Sequence, residues 1–242
     1  MKQEYSDMKC NGVFSSVKEL FAVLNSSEAD YLVMRNHENL LTSSFFVDGH
    51  PDIDMLCEDS DAIARLLGAS PTRHDQSGHI GDGTHYYVFV DGRKVSIDLR
   101  HLGDGYFCLK WQQDALKRKK FNGHFFVMHD EDYFYTLVYH AILQKPSLSA
   151  EYQQRLISMA ETIGVELTDT SARGLINILH VFMRAKGYTF TYPLDATVPL
   201  HTSLIDRSML ECDFLPMLRH FLFDVKVKTI DAMVCLKHAI RL

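Results

Sequence analysis

Asp52 and Asp54 stand one residue apart in "PDIDMLC", a stretch that is otherwise apolar apart from its leading proline. In a strand, residues two apart point to the same face, so the two carboxylates would project side by side while Ile53 and Met55 point the other way. Charge set into a buried strand is unfavourable unless something offsets it, and two adjacent carboxylates also repel each other. A divalent cation between them relieves both, and ligands that are all oxygen suit Mg²⁺ or Mn²⁺. A third acid in the same kind of setting, Asp98, lies between Ile97 and Leu99 in "VSIDLR". If the two strands are neighbours, Asp52, Asp54 and Asp98 converge on one edge of a sheet. Such a cluster is the metal half of a phosphoryl- or nucleotidyl-transfer site, where paired ions bridge phosphate oxygens and activate a hydroxyl. The plainer alternative is a solvated acidic turn; the apolar neighbours on both sides argue for the strand.

Other candidates carry less. The run "KRKK", residues 117–120, could attract a triphosphate or an anionic acceptor, but a solvated helix end is the simpler reading. "GHIGDGTH", residues 78–85, is glycine-rich without the strand–helix context of a phosphate loop, and reads as a mobile connection near the site. His140 sits beside an apolar helical face, the place of a hydrogen-bonded core histidine. The thirteen histidines show no HxxxH or HExxH pattern, which argues against a zinc hydrolase.

The elements that must position the acids follow from periodicity. Val13, Phe14, Val17, Leu20, Phe21 and Leu24 recur at helical spacing, and "YLVMRN", residues 31–36, reads as a strand. After a loop comes the strand "DIDMLC", then a helix with Ser60 as its expected N-cap and Gly68 as its stop. "THYYVFV" and "KVSIDLR" flank "DGR", a hairpin signal. From about residue 110 the pattern turns helical: "DEDYFYTLVYHAILQK" carries Phe134, Leu137, Val138, Ala141 and Ile142 on one helical face, and "AEYQQRLISMAETIG" and "ARGLINILHVFMRAKGY" read as further helices. "PLDATVPLHTS" reads as a loop, and the C-terminal segment as a further helix. The expected fold class is α+β: a small mixed sheet with helices over residues 1–125, then a mostly helical region over residues 126–242.

The chain has 242 residues, 46% apolar and 23% charged, with a formal net charge of −6. That is an ordinary globular composition, and it argues against general nucleic-acid binding, which shows as a basic excess. It leaves room for a nucleotide, whose phosphates can be held by metal and a few cations. Five scattered cysteines without a CxxC pair are expected as reduced thiols. No apolar signal core and no bilayer-length apolar run is present, so a cytoplasmic protein without a transmembrane segment is expected.

The order strand, loop, Asp-x-Asp strand, helix, then a strand with a third Asp resembles the nucleotidyltransferase fold shared with DNA polymerase beta, over roughly residues 13–110. The whole chain is similar to a divergent bacterial branch found with surface-polysaccharide biosynthesis. That likeness implies that Asp52, Asp54 and Asp98 bind the metals, and that Asp98 helps activate the acceptor hydroxyl. It also implies an NTP and a second, unidentified acceptor as partners. One position departs from the pattern. Where the family carries a Gly-Ser pair to hold the triphosphate, this chain has Arg35 and Asn36. Arg35, with its planar donor fork, is the expected phosphate ligand, with Asn36 as an added donor or a turn residue. Two rivals stay open. One is a nucleotide-sugar glycosyltransferase using the Asp-x-Asp motif, although only 51 residues precede Asp52. The other is a catalytically degenerate member of the fold, kept as a binding module.

Overall fold

A computed structural model of the chain describes residues 10–47, 51–72 and 84–240. It opens with the strand β1 (Val13–Phe14) and the helix α1 (Val17–Ser26). The helical spacing from Val13 is thus interrupted: Ser16 caps α1 by accepting from the Glu19 backbone N–H, and Glu19 in turn accepts from Ser15. Those local bonds satisfy amides that a helix start leaves orphaned. They leave Val13 and Phe14 extended.

β2 (Tyr31–Val33) is shorter than expected, because Asn36 turns into the left-handed region at φ 57°. β3 (Asp52–Cys57) and α2 (Ser60–Leu67) follow. Asp59, not Ser60, is the N-cap of α2, accepting from the Ala62 N–H at 2.9 Å; a carboxylate there also complements the helix dipole. Gly68 ends α2 as expected, at φ 63°. The short β4 (Ser70–Pro71) precedes the hairpin of β5 (His85–Val90) and β6 (Arg93–His101). Its two-residue turn, Asp91-Gly92, has φ 51° and 69°, the left-handed pair that matches strand twist. The glycine-rich stretch lies outside the described residues except for Thr84 and His85.

Then come α3 (Leu109–Arg118), β7 (Lys120–Phe121), β8 (Phe126–Val127), α4 (Asp130–Leu143), α5 (Ala150–Ile163), α6 (Ala172–Lys186) and α7 (Phe214–Ile240). The class is α+β, with the named strands between residues 13 and 127. The basic run at the end of α3 is partly paired: Arg118 bridges Glu131 and Asp132, Lys119 pairs with Asp30 and Lys120 with Asp130, while Lys117 is exposed. Among the described residues, Cys10, Cys57, Cys108 and Cys212 are free thiols, and no helix is long and apolar enough to cross a membrane.

The sheet runs β1-β5-β6-β3-β2-β8-β7, with β4 also on β5. β3 and β6 are parallel neighbours, β5 is antiparallel to β6, and β2 is antiparallel to β3. Alternation sorts the two faces. Val33, Ile53, Met55, Val95, Ile97 and Leu99 join Leu20, Phe21, Leu24, Ile63 and Leu67 of α1 and α2 in one buried cluster. Leu32, Met34 and Leu56 point the other way and join Trp111, Phe134, Leu137 and Leu179 in a second cluster. Each such buried side chain stabilises the fold by roughly 1.5–3 kcal/mol. On that second face, the rest of β3 and β6 is polar.

Candidate active site

The polar part of the face comes from register. Parallel pairing of β3 with β6 sets Asp52 opposite Ser96, Asp54 opposite Asp98, and Leu56 opposite Arg100. Asp52, Asp54 and Asp98 therefore share one face, with Asp54 and Asp98 side by side. Asp54 is buried, Asp98 is partly exposed, and Asp52 stands at the open end of its strand. Partial burial of the Asp52 carboxyl, and then the charges of Asp54 and Asp98, push its pKa above the ordinary aspartate value.

Arg35 follows β2 and reaches across to β3. Its Nε lies 2.7 Å from one oxygen of Asp54 and its Nη2 2.8 Å from the other, a bidentate pair. Nη1 donates to the Tyr106 hydroxyl at 2.8 Å and lies 3.2 Å from His140 Nδ1. Four of the five N–H donors of the guanidinium are thereby directed at groups of the chain itself. The fork is turned to a carboxylate of the site, with one N–H left over. Burial works against the Arg35 charge, but Asp54 and Tyr106 outweigh it and hold its pKa well above the ordinary value.

His140 is the buried, hydrogen-bonded histidine expected on α4, and it also touches the arginine of the site. Burial, and then the charge of Arg35, push its pKa down to about 3, so the ring is neutral. Nδ1 also lies 2.9 Å from Gln144 Oε1 and 3.3 Å from the Tyr106 hydroxyl, and the ring tautomer decides which of these contacts it makes. Asn36 faces elsewhere: its Oδ1 accepts from Arg155 Nη1 at 2.7 Å, and its backbone N–H donates to the Tyr133 hydroxyl. Asn36, Asp52, Ser44, Glu151 and Arg155 line a cavity of about 450 Å³.

Three further residues complete the face. His85 is opposite Asp98 on β5, and its Nδ1 lies 2.8 Å from Asp98 Oδ1. Its Nε2 lies 3.2 Å from Asp195 Oδ2, which also accepts from Arg100 Nη1 at 3.1 Å. Both ring nitrogens of His85 thus face carboxylate oxygens, which accept. Burial works against the Asp98 charge, but the hydrogen bond and charge of His85, then Arg100 and Arg35, hold its carboxyl below the usual value. Asp195 is held lower still, where His85, Arg100 and Thr197 outweigh burial. The hairpin signal contained His85: counting back from the Asp-Gly turn pairs it with Asp98. Asp195 lies in the segment read as a plain loop, with no local signal.

Asp52, Asp54 and Asp98 fit Mg²⁺ or Mn²⁺ in charge and in donor type. Among the described residues no three His, Cys, Asp or Glu side chains form a ready ligand group. Like charges hold free carboxylates apart, and Arg35 engages both oxygens of Asp54. The chain matches no protein-family model, and neither curated proteins nor solved structures show significant similarity to it.

Proposed function

We propose that the chain is a divalent-metal-dependent nucleotidyltransferase of the DNA polymerase beta-like fold. It moves a nucleoside monophosphate from an NTP, with release of pyrophosphate, to a hydroxyl or phosphate of a second molecule, in the cytoplasm, with a surface-polysaccharide precursor as the acceptor by resemblance. The observation that carries the reading is the register of two parallel strands, Asp54 opposite Asp98 with Asp52 one step along the same face. The three acids share one face, and burial followed by the charges of Asp54 and Asp98 raises the Asp52 pKa. Asp52 and Asp98, with Asp54 where Arg35 shares it, would hold Mg²⁺ or Mn²⁺, which when bound offsets phosphate charge and favours the alkoxide form of a hydroxyl.

The chain's own residues set the rest. Asp98, kept ionised by His85, is an acceptor at which a hydroxyl can be oriented. Asp52 and Asn36 open on the 450 Å³ cavity, a size suited to a small ligand such as a nucleotide. Arg35 acts on the phosphates through Asp54, setting its charge and orientation.

A second reading is favoured by that same pair. With Asp54 neutralised by a two-point salt bridge, the face resembles a site converted to metal-free binding, a degenerate module of the fold. Titrating the protein with each NTP, with and without Mn²⁺, separates the two. The transferase reading expects binding that requires metal and is abolished in Asp52→Asn, while folding stability is kept because the change relieves repulsion. Binding that ignores metal, or that survives Asp52→Asn, favours the module.

A further inference from the structure

A larger cavity of about 570 Å³ opens at the other end of the acidic face, between the end of β6 and α7. Its wall includes Arg100 and Asp195, and from α7 Arg219, Leu222 and Phe223. On β6, Arg100 is two residues beyond Asp98, on the same face. On β3, Asp52 is two residues before Asp54. The Asp54–Asp98 level thus stands between the two cavities, one two-residue step of about 6.6 Å from the wall residue of each.

The donors and acceptors of this second cavity are unbalanced. Arg100 is 4% exposed, and its Nε has no hydrogen-bond partner among the described residues. A buried donor of this kind calls for an acceptor. Arg219 enters the cavity from α7 and has no hydrogen-bond or ion-pair partner among the described residues. The two carboxylates of the wall are already served. Asp104 accepts from the backbone N–H groups of His101 and Tyr106 and from the Gln112 amide. Asp195 accepts from His85, Arg100 and Thr197. The charge of Arg100 and the free donors of Arg219 therefore border a space whose acids are already served, while Leu194, Leu222 and Phe223 supply apolar surface.

We propose that this cavity is the acceptor site: it takes a compact molecule bearing one phosphate monoester or carboxylate, with the anion on Arg100 and Arg219. The inference rests on the nucleotidyl-transfer reading for the word acceptor, but not for the anion site itself. Asp195 joins the cavity to the chemistry, since its Oδ2 accepts from Arg100 in the wall and from the His85 that holds Asp98.

The test uses glycerol 3-phosphate, glycerate and glycerol as probes, followed by calorimetry or by amide chemical shifts of the full chain. One or both of the anions should bind saturably at about millimolar concentration, and glycerol should not. The tighter of the two identifies the head group. Arg219→Gln, a change on the exposed side of a helix, should weaken that binding at least tenfold, whereas Arg65→Gln on α2 should not change it. Asp52→Asn should keep it while losing NTP with Mn²⁺. If wild type ignores NTP and Mn²⁺ yet binds an anion through Arg219, the anion site stands and the transferase reading fails. Binding of neither anion, equal binding of glycerol, or unchanged affinity in Arg219→Gln overturns the anion site whatever the nucleotide does.

Discussion

The pair of Arg35 and Asp54 decides how the residues of the site behave. Asp54 is buried, Arg35 is largely shielded, and the pair is bidentate, so removing Arg35 strands the charge of Asp54. Arg35→Ala should lower stability to urea by about 3–5 kcal/mol, while Arg35→Met with Asp54→Leu should recover most of that loss. A single-mutant loss under about 1 kcal/mol would show that the pair does not hold this face together. His140 gives a second handle. Its folded-state pKa is pushed down to about 3, against about 6.5 in an unfolded chain. Its contribution is full above the unfolded value and is lost as pH falls towards the folded one, because only the unfolded chain takes up the proton. Between pH 7 and pH 5 this residue should account for about 2 kcal/mol of lost stability, which His140→Gln should remove. An identical pH profile for the two proteins would refute it. At this scale the sequence disclosed residue types better than partners. Alternation alone puts Asp52 and Asp54 on one face, while Asp98 joins them through the pairing of β3 with β6. The carboxylate partner of the Arg35 fork, 19 residues away, is not legible, because it is met only through the pairing of β2 with β3.

Short-range chemistry made most elements legible. The Asp-Gly turn, the stop at Gly68 and the helical character of α4, α5 and α6 need only neighbours within a few residues, whereas α4 is buried on nearly all sides and not on one face. The misplaced starts of α1 and α2 have the same origin. More than one capping side chain was available, and the choice between Ser60 and Asp59, or between a start at Val13 and one at Val17, depends on what the preceding residues pair with. Long-range placement was not legible. Asp195 reaches His85 because the segment around it is seated on the loop after β6: Leu194 N–H donates to Asp104 O at 2.7 Å, and Thr191 Oγ1 donates to Gly105 O at 2.8 Å. Gly105 has φ 72°, and a Cβ there would lie 2.5 Å from Tyr192 O. Gly105→Ala combines a left-handed penalty of about 1–2 kcal/mol with that clash. It should lower stability by at least about 2 kcal/mol and shift the imidazole resonances of His85 as Asp195 withdraws. Wild-type stability with unchanged His85 signals would mean that this seam does not place Asp195.

At the scale of the whole molecule, the sheet has one face closed by α1 and α2 and another shared between the helical half and a polar patch. The second core takes Leu32, Met34 and Leu56 from the sheet and Phe134, Leu137 and Leu179 from the later helices, so packing couples the acidic face to the C-terminal region. Sequence periodicity disclosed both halves but not this sharing, which depends on which strands are neighbours. Two cavities lie on either side of the Asp54–Asp98 level of β3 and β6; the proposed function would put nucleotide at the Asp52 end and acceptor at the Arg100 end. The α7 helix closes only part of its surroundings, since Phe214, Leu215, Phe221 and Leu222 remain exposed while His220 is buried against Pro193. The central claim is that the three aspartates form a metal-dependent nucleotide site. Its most direct test is a crystal structure of the full chain with Mn²⁺ and a non-hydrolysable NTP, with the metal located by its anomalous signal. The account predicts manganese about 2.2 Å from oxygens of Asp52 and Asp98, with phosphate oxygens completing its shell and the base in the cavity lined by Asn36. Nucleotide bound without manganese, or manganese away from these carboxylates, would contradict it.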